Sequence, residues 1–159
     1  MFSLAQLNDV RRDVGFVRCS AFYLDVKFFA AVLAGVIALF IIHQFAPKLF
    51  ISRYSVDAVL VFNVLLWYPL LEETMFRGVI QGQLRKKKWA LSTMLNLTVA
   101  NWLTSIIFVG FHFFYHPPVV ALLILVPSLI FGYFRDLYKS ILPSLVLHVT
   151  YNLLFLVLI

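Results

Sequence analysis

Tyr68-Pro69-Leu70-Leu71-Glu72-Glu73-Thr74-Met75-Phe76-Arg77-Gly78 sets two adjacent carboxylates and an arginine inside a run of apolar residues. An ionised side chain near the centre of a bilayer costs about 2.5–3.5 kcal/mol on insertion scales, so this cluster calls for either a catalytic site or a helix-helix clamp. The run is intramembrane because the chain around it is: of 159 residues, 63% are hydrophobic, 17% aromatic and 13% charged. The mean hydropathy of +0.96 lies outside the range of soluble domains. A span needs about 20 mainly apolar residues. Five segments qualify, at about Phe28 to Ala46, Val56 to Gln81, Trp89 to Tyr115, Val119 to Phe134 and Ile141 to Ile159. The expected fold is all-α, a polytopic membrane helical bundle of about five transmembrane spans over residues 28–159, preceded by an amino-terminal arm over 1–27.

The arm mixes Arg11, Arg12, Arg18 and Lys27 with Phe2, Leu4, Leu7, Phe16 and Phe22, which suits a segment on an anionic membrane surface or a flexible tail. The first span has too long an apolar core for a cleavable signal, and no small-x-small site follows it. Ten of the 13 Lys and Arg fall on one side of the five-span arrangement, in the arm, at Arg85-Lys86-Lys87-Lys88, and at Arg135 and Lys139. Lys48 and Arg53 fall on the other side. The positive-inside rule then puts the amino terminus in the cytoplasm of a multi-pass protein of the inner (cytoplasmic) membrane. The net charge of +6 reports that orientation and gives no ground for nucleic-acid binding. Cys19 is the only cysteine, which excludes an intrachain disulfide and a thiolate zinc cage.

Helical geometry divides the roles of the charged trio. At roughly 100° per residue Arg77 lies about 40° from Glu73 but about 140° from Glu72, so Glu73 is its natural partner and Glu72 is left to face something else. Pro69 removes one backbone hydrogen bond, leaving the Leu65 carbonyl without its usual donor, and a kink is expected there.

Two further constellations lie in later spans. In Phe108-Val-Gly-Phe-His112 the phenylalanine sits one turn beneath the imidazole and can fix its rotamer, while Gly110 would admit another backbone. His112 could equally be a satisfied histidine bonded to a neighbouring carbonyl. In His148-Val-Thr-Tyr-Asn152 an imidazole and a carboxamide share one face, as either oxyanion donors or interhelical glue.

Taken in order, Glu-Glu-x-x-x-Arg, Phe-x-x-x-His and His-x-x-x-Asn on separate spans resemble the CPBP family of CAAX proteases and bacteriocin-processing enzymes, also called Abi proteins. The likeness covers roughly residues 56–159, including Arg77-Gly78 and Leu142-Pro143-Ser144. It implies an intramembrane endopeptidase in which Glu72 with His112 activates water, His148 and Asn152 stabilise the oxyanion, and Glu73 and Arg77 hold the site together, with Phe108 supporting. The partners would be the lipid bilayer and a membrane-anchored protein or hydrophobic peptide substrate. The favoured chemistry is a glutamic protease with no cofactor, because no His-Glu-x-x-His helix is present and Arg77 opposes a dication. Zinc held by Glu72, His112 and His148 is the alternative. A non-catalytic transporter subunit or immunity protein binding a ligand in a polar cavity is the competing function. A serine protease has no Gly-x-Ser-x-Gly site to support it.

Depth poses one conflict. His112 would lie about 36 Å from Lys88 in a straight helix, too far to meet Glu72, which lies about 20 Å from the Arg85 turn. The polar residues Ser92, Thr93, Asn96, Thr98 and Asn101 predict a break between Leu91 and Asn101 that shortens the span, with Pro117 and Pro118 ending it. His116 either shares the cavity or packs a helix end, and His43 is interfacial.

Overall fold

Asp57 starts the helix that carries the charged trio, its carboxylate accepting the Leu60 N–H at 2.8 Å. The computed structural model describes residues 4–19, 21–47 and 57–158, so Phe2, Lys48, Arg53, Val56 and Ile159, with the side chains of Leu4 and Leu7, lie outside the described set. The helix, α3, runs over Ala58–Leu84 and holds two π-helical stretches, Asn63–Trp67 just before Pro69 and Glu73–Ile80 after it. There the Tyr68 N–H reaches the Asn63 carbonyl and the Gln81 N–H reaches that of Phe76. A wider turn lets the ladder step past a missing donor, and such stretches recur at functional sites.

The remaining elements assemble around α3. Helix α1 spans Leu4–Val14 in the arm. Helix α2, Val26–Phe45, is capped by Asp25, which accepts from the Lys27 N–H at 2.8 Å and from the Tyr138 hydroxyl at 2.6 Å. The Tyr138 hydroxyl, followed by the Lys27 amide, holds the Asp25 carboxyl below its ordinary range. Helix α4 is Val99–His112, α5 is Pro118–Tyr138 and α6 is Leu142–Leu158. Lys139, at φ 57, turns the chain out of α5.

The third expected span, Trp89 to Tyr115, is interrupted where its polar residues cluster. A 3-10 turn over Lys88–Leu91 leads into a two-stranded hairpin, β1 Thr93–Met94 against β2 Leu97–Thr98, with Leu95 and Asn96 at positive φ in the turn. Thr98 then caps α4, its hydroxyl accepting the Asn101 N–H at 3.0 Å. Three described helices, α2, α3 and α5, are long and apolar enough to cross a membrane. Helices α4 and α6 have 14 and 17 residues. At about 1.5 Å per residue they fall short of a hydrocarbon layer about 30 Å thick, so the expected five full spans become three long helices and two shorter apolar ones.

Helix α5 packs between α4 and α6, and α6 also packs on α2 and on the first half of α3. Phe28, Phe131, Phe134 and Leu147 make the apolar core where α2, α5 and α6 meet. Gly132 is required by the α4–α5 contact: a Cβ there would lie 1.8 Å from the Asn101 Oδ1, whose amide crosses to the Leu129 carbonyl at 2.9 Å. Phe29, Leu33, Ile37 and Phe40 of α2 point outward, as a lipid-facing helix requires.

The three basic clusters do gather at one end. Lys86 pairs with Asp13 at 2.6 Å, Arg85 with Asp136 at 3.1 Å, and the Arg135 guanidinium donates to the Asp13 carbonyl at 3.3 Å. Arg135, counted among the charges of that side, is only 2% exposed.

Candidate active site

Glu73 is fully buried and sits at the centre of the polar cluster. Its Oε2 lies 3.5 Å from the Arg77 Nε, one turn on, and its Oε1 lies 2.9 Å from the His148 Nδ1. The i, i+4 pairing expected from the sequence is therefore present, and it reaches across to α6 as well. A carboxylate can only accept, so the His148 Nδ1 carries a proton and its Nε2 turns toward Glu72, whose Oε2 is 3.7 Å away. Glu72 keeps 23% of its side chain exposed, whereas Glu73 keeps none.

Arg77 is held from α5. Its Nη2 donates to the Ser128 carbonyl at 3.1 Å and hydroxyl at 2.9 Å, while the guanidinium lies over the rings of Phe108 and Phe131 at 5.0 and 5.9 Å. One turn further, the Gln81 amide donates to the Gly132 carbonyl at 2.9 Å. Glu73, Arg77 and Gln81 thus form one stripe of α3 that is bonded to the helices packed on it at the Glu73 Oε1, the Arg77 Nη2 and the Gln81 Nε2, while the Glu73 Oε2, the Arg77 Nε and Nη1 and the Gln81 Oε1 are buried without a hydrogen bond.

Phe108 is the hinge of the arrangement. Its ring is 4.4 Å from that of His112, 6.3 Å from that of His148 and 4.8 Å from that of Phe76. Phe131 stacks on His148 at 5.0 Å and 20°, so the imidazole is held between two aromatic rings as well as by Glu73. The packing of Phe108 under His112 follows the i, i+4 expectation.

His112 joins the cluster through Phe108, and its own hydrogen bond runs to the Phe108 carbonyl at 2.8 Å. A carbonyl accepts only, so Nδ1 donates there and Nε2 is the nitrogen left to receive a proton. His116 stacks on His112 at 5.6 Å. Among the described residues Gly110 admits no neighbouring backbone, contrary to the expectation, since none of their atoms lies within 4 Å of where its Cβ would be. Asn152 lies one turn after His148 on α6 and donates to the Val64 carbonyl at 2.8 Å, tying α6 to the first π-helical stretch of α3. The structure therefore brings Glu72, Glu73, Arg77, Phe108 and His148 into one contact network, with His112 on its rim and Asn152 beside it.

Among the described residues no group of three or more His, Cys, Asp or Glu is gathered closely enough to hold a metal ion. Two hollows, of 260 and 250 Å³, lie away from the cluster, along Lys27, Leu97, Leu129 and Tyr133 and along Asn96, Thr98, Asp136 and Lys139.

Sequence reasoning missed Gln81, Ser128, Phe131, Gly132 and Arg135. Gln81 was within reach of it, since it continues the i, i+4 spacing of Glu73 and Arg77. Ser128 and Gly132 are small residues one turn apart on α5, a common sign of close helix contact, and gave no sign of which charge they receive.

No curated protein and no solved structure matches the chain. The family described as Type II CAAX prenyl endopeptidase Rce1-like matches residues 54–154, more than half of the chain and a stretch that holds every candidate site residue. The chain accordingly belongs to the Rce1-like type II CAAX prenyl endopeptidase family, in keeping with its CPBP resemblance.

Proposed function

We propose that the chain is an intramembrane endopeptidase of the glutamic type, hydrolysing a peptide bond in a membrane-anchored protein or hydrophobic peptide, with its amino terminus in the cytoplasm. The observation that carries this reading is the unequal treatment of two adjacent glutamates: Glu73 is consumed by Arg77 and His148, and Glu72 is not. In the reaction Glu72 takes a proton from water as the oxygen attacks the scissile carbonyl carbon, with the free Nε2 of His112 as the partner base. The His148 Nε2, donating once the ring carries a second proton, and the amide N–H of Asn152 that Val64 does not take would stabilise the oxyanion of the tetrahedral intermediate. When the C–N bond breaks, Glu72 returns its proton to the leaving amine, so each turnover consumes one water and leaves the enzyme unchanged. The 3.7 Å gap between Glu72 and His148 is longer than a hydrogen bond, a separation at which a bridging water is to be asked for.

The test is direct. Purified protein in lipid nanodiscs is offered matched membrane-anchored peptides with prenylated and unmodified carboxyl-terminal tails, and products are read by mass spectrometry. Cleavage of at least one series, retained after exhaustive chelation, is the expected result. Loss on chelation that zinc alone restores would overturn the metal-free chemistry, because a catalytic zinc supplies its own activated water.

A further inference from the structure

The arm is seated on the catalytic helix by its backbone. Val14 lies against Gly78, where a Cβ would meet the Val14 Cγ1 at 2.6 Å and its carbonyl oxygen at 2.9 Å. One turn on, a Cβ at Gly82 would meet the Asp13 carbonyl oxygen at 2.9 Å. The contact is closed from the other side by the α5–α6 turn, where the Ile141 N–H donates to the Gly15 carbonyl at 3.0 Å and the Ser140 hydroxyl to that of Val17 at 2.8 Å. Gly15 adopts φ +82 and its Cα faces the Arg135 guanidinium, 2.8 Å from where a Cβ would be.

Arg135 joins the two parts. Its Nε donates to the Arg77 carbonyl at 3.0 Å and its Nη2 to the Asp13 carbonyl at 3.3 Å. One buried guanidinium therefore grips the arm and the π-helical stretch Glu73–Ile80 together. The first carbonyl belongs to Arg77, the residue whose guanidinium orders Glu73. Neither end of this grip touches the reacting groups, so its effect on chemistry runs through the placement of Arg77 and Glu73.

We propose that Arg135 is a positioning residue for the hydrolysis, clamping the Asp13–Val17 backbone of the arm to the segment of α3 that bears Glu73 and Arg77, so that a seated arm is part of a competent site. The proposal rests on the endopeptidase reading, and its test separates the two.

The full chain is compared with Arg135→Gln, Gly82→Ala and the double variant, each spin-labelled at Cys19, the single cysteine just past the seated segment. Gly82→Ala favours the helix and leaves every side chain of the site chemically unchanged, yet its methyl group displaces the Asp13 carbonyl. Each single variant is expected to free the label and lower kcat about tenfold or more with KM within about twofold, as a small misplacement of catalytic groups does. The double variant should lose no more than the worse single one. A label that stays immobile in Gly82→Ala, a freed label with unchanged kcat, or a change confined to KM would each overturn the proposal. If Arg135→Gln fails to fold, Gly82→Ala carries the test alone. A parent chain that cleaves nothing would sink the endopeptidase reading, while label mobility would still report whether Arg135 seats the arm.

Discussion

The enclosed face of α3 and the open side of the cluster treat charge differently. On the enclosed face Glu73, Arg77 and Gln81 are fully buried, and each finds a partner on α5 or α6. On the open side Glu72 of α3 and His112 of α4 stay partly exposed, and among the described residues the hydrogen bond of His112 runs within its own helix. Partners from other helices fix a side chain, whereas a group bound locally or loosely can meet water and substrate. Under the proposed mechanism the enclosed side does structural work and the open side chemistry, which predicts that substitutions on the two sides fail in different ways.

Glu73→Ala should have the largest effect, because it strands the Arg77 charge in the interior and releases His148 at once. A loss of about 3–5 kcal/mol is expected. It should appear as a collapse of detergent-solubilised thermal stability together with activity. Normal stability in that variant would break the comparison on its enclosed side. Ser128→Ala removes one charged hydrogen bond to Arg77 and leaves the Ser128 carbonyl in place, so a smaller loss of about 1.5–3 kcal/mol is expected by the same thermal measurement. His112→Gln belongs to the other side. It should leave thermal stability within about 0.5 kcal/mol and lower kcat by a factor of about 10²–10⁴. A variant that is unstable but, where folded, fully active would move His112 to the structural face.

The enclosed face was legible in the sequence because helical spacing alone sets Glu73 against Arg77 and turns Glu72 away. The interruption of the third span was legible too, through a depth argument, since His112 could not otherwise approach Glu72. Its form was not, because a hairpin of two-residue strands depends on Leu95 and Asn96 adopting positive φ, which neither residue type demands. The buried role of Arg135 was not legible, because a basic residue near a helix end enters the sequence argument only through the charge count. Only the tertiary arrangement reveals that two backbone carbonyls from distant segments converge on it. The grip of Glu73 on His148 was likewise hidden, as no spacing links α3 to α6. Pro69 signals a disturbed ladder but neither its π-helical form nor the second stretch, Glu73–Ile80.

The central claim is that Glu72 is the base and stands outside the clamp. Glu72→Gln keeps the volume and removes the base, so cleavage of the membrane-anchored peptide should fall to background. Its thermal midpoint should stay within about 2 °C of the parent, as for a substitution of about 0.5 kcal/mol or less. Turnover within a few-fold of the parent by a folded Glu72→Gln protein, or unfolding like that of Glu73→Ala, would contradict the account.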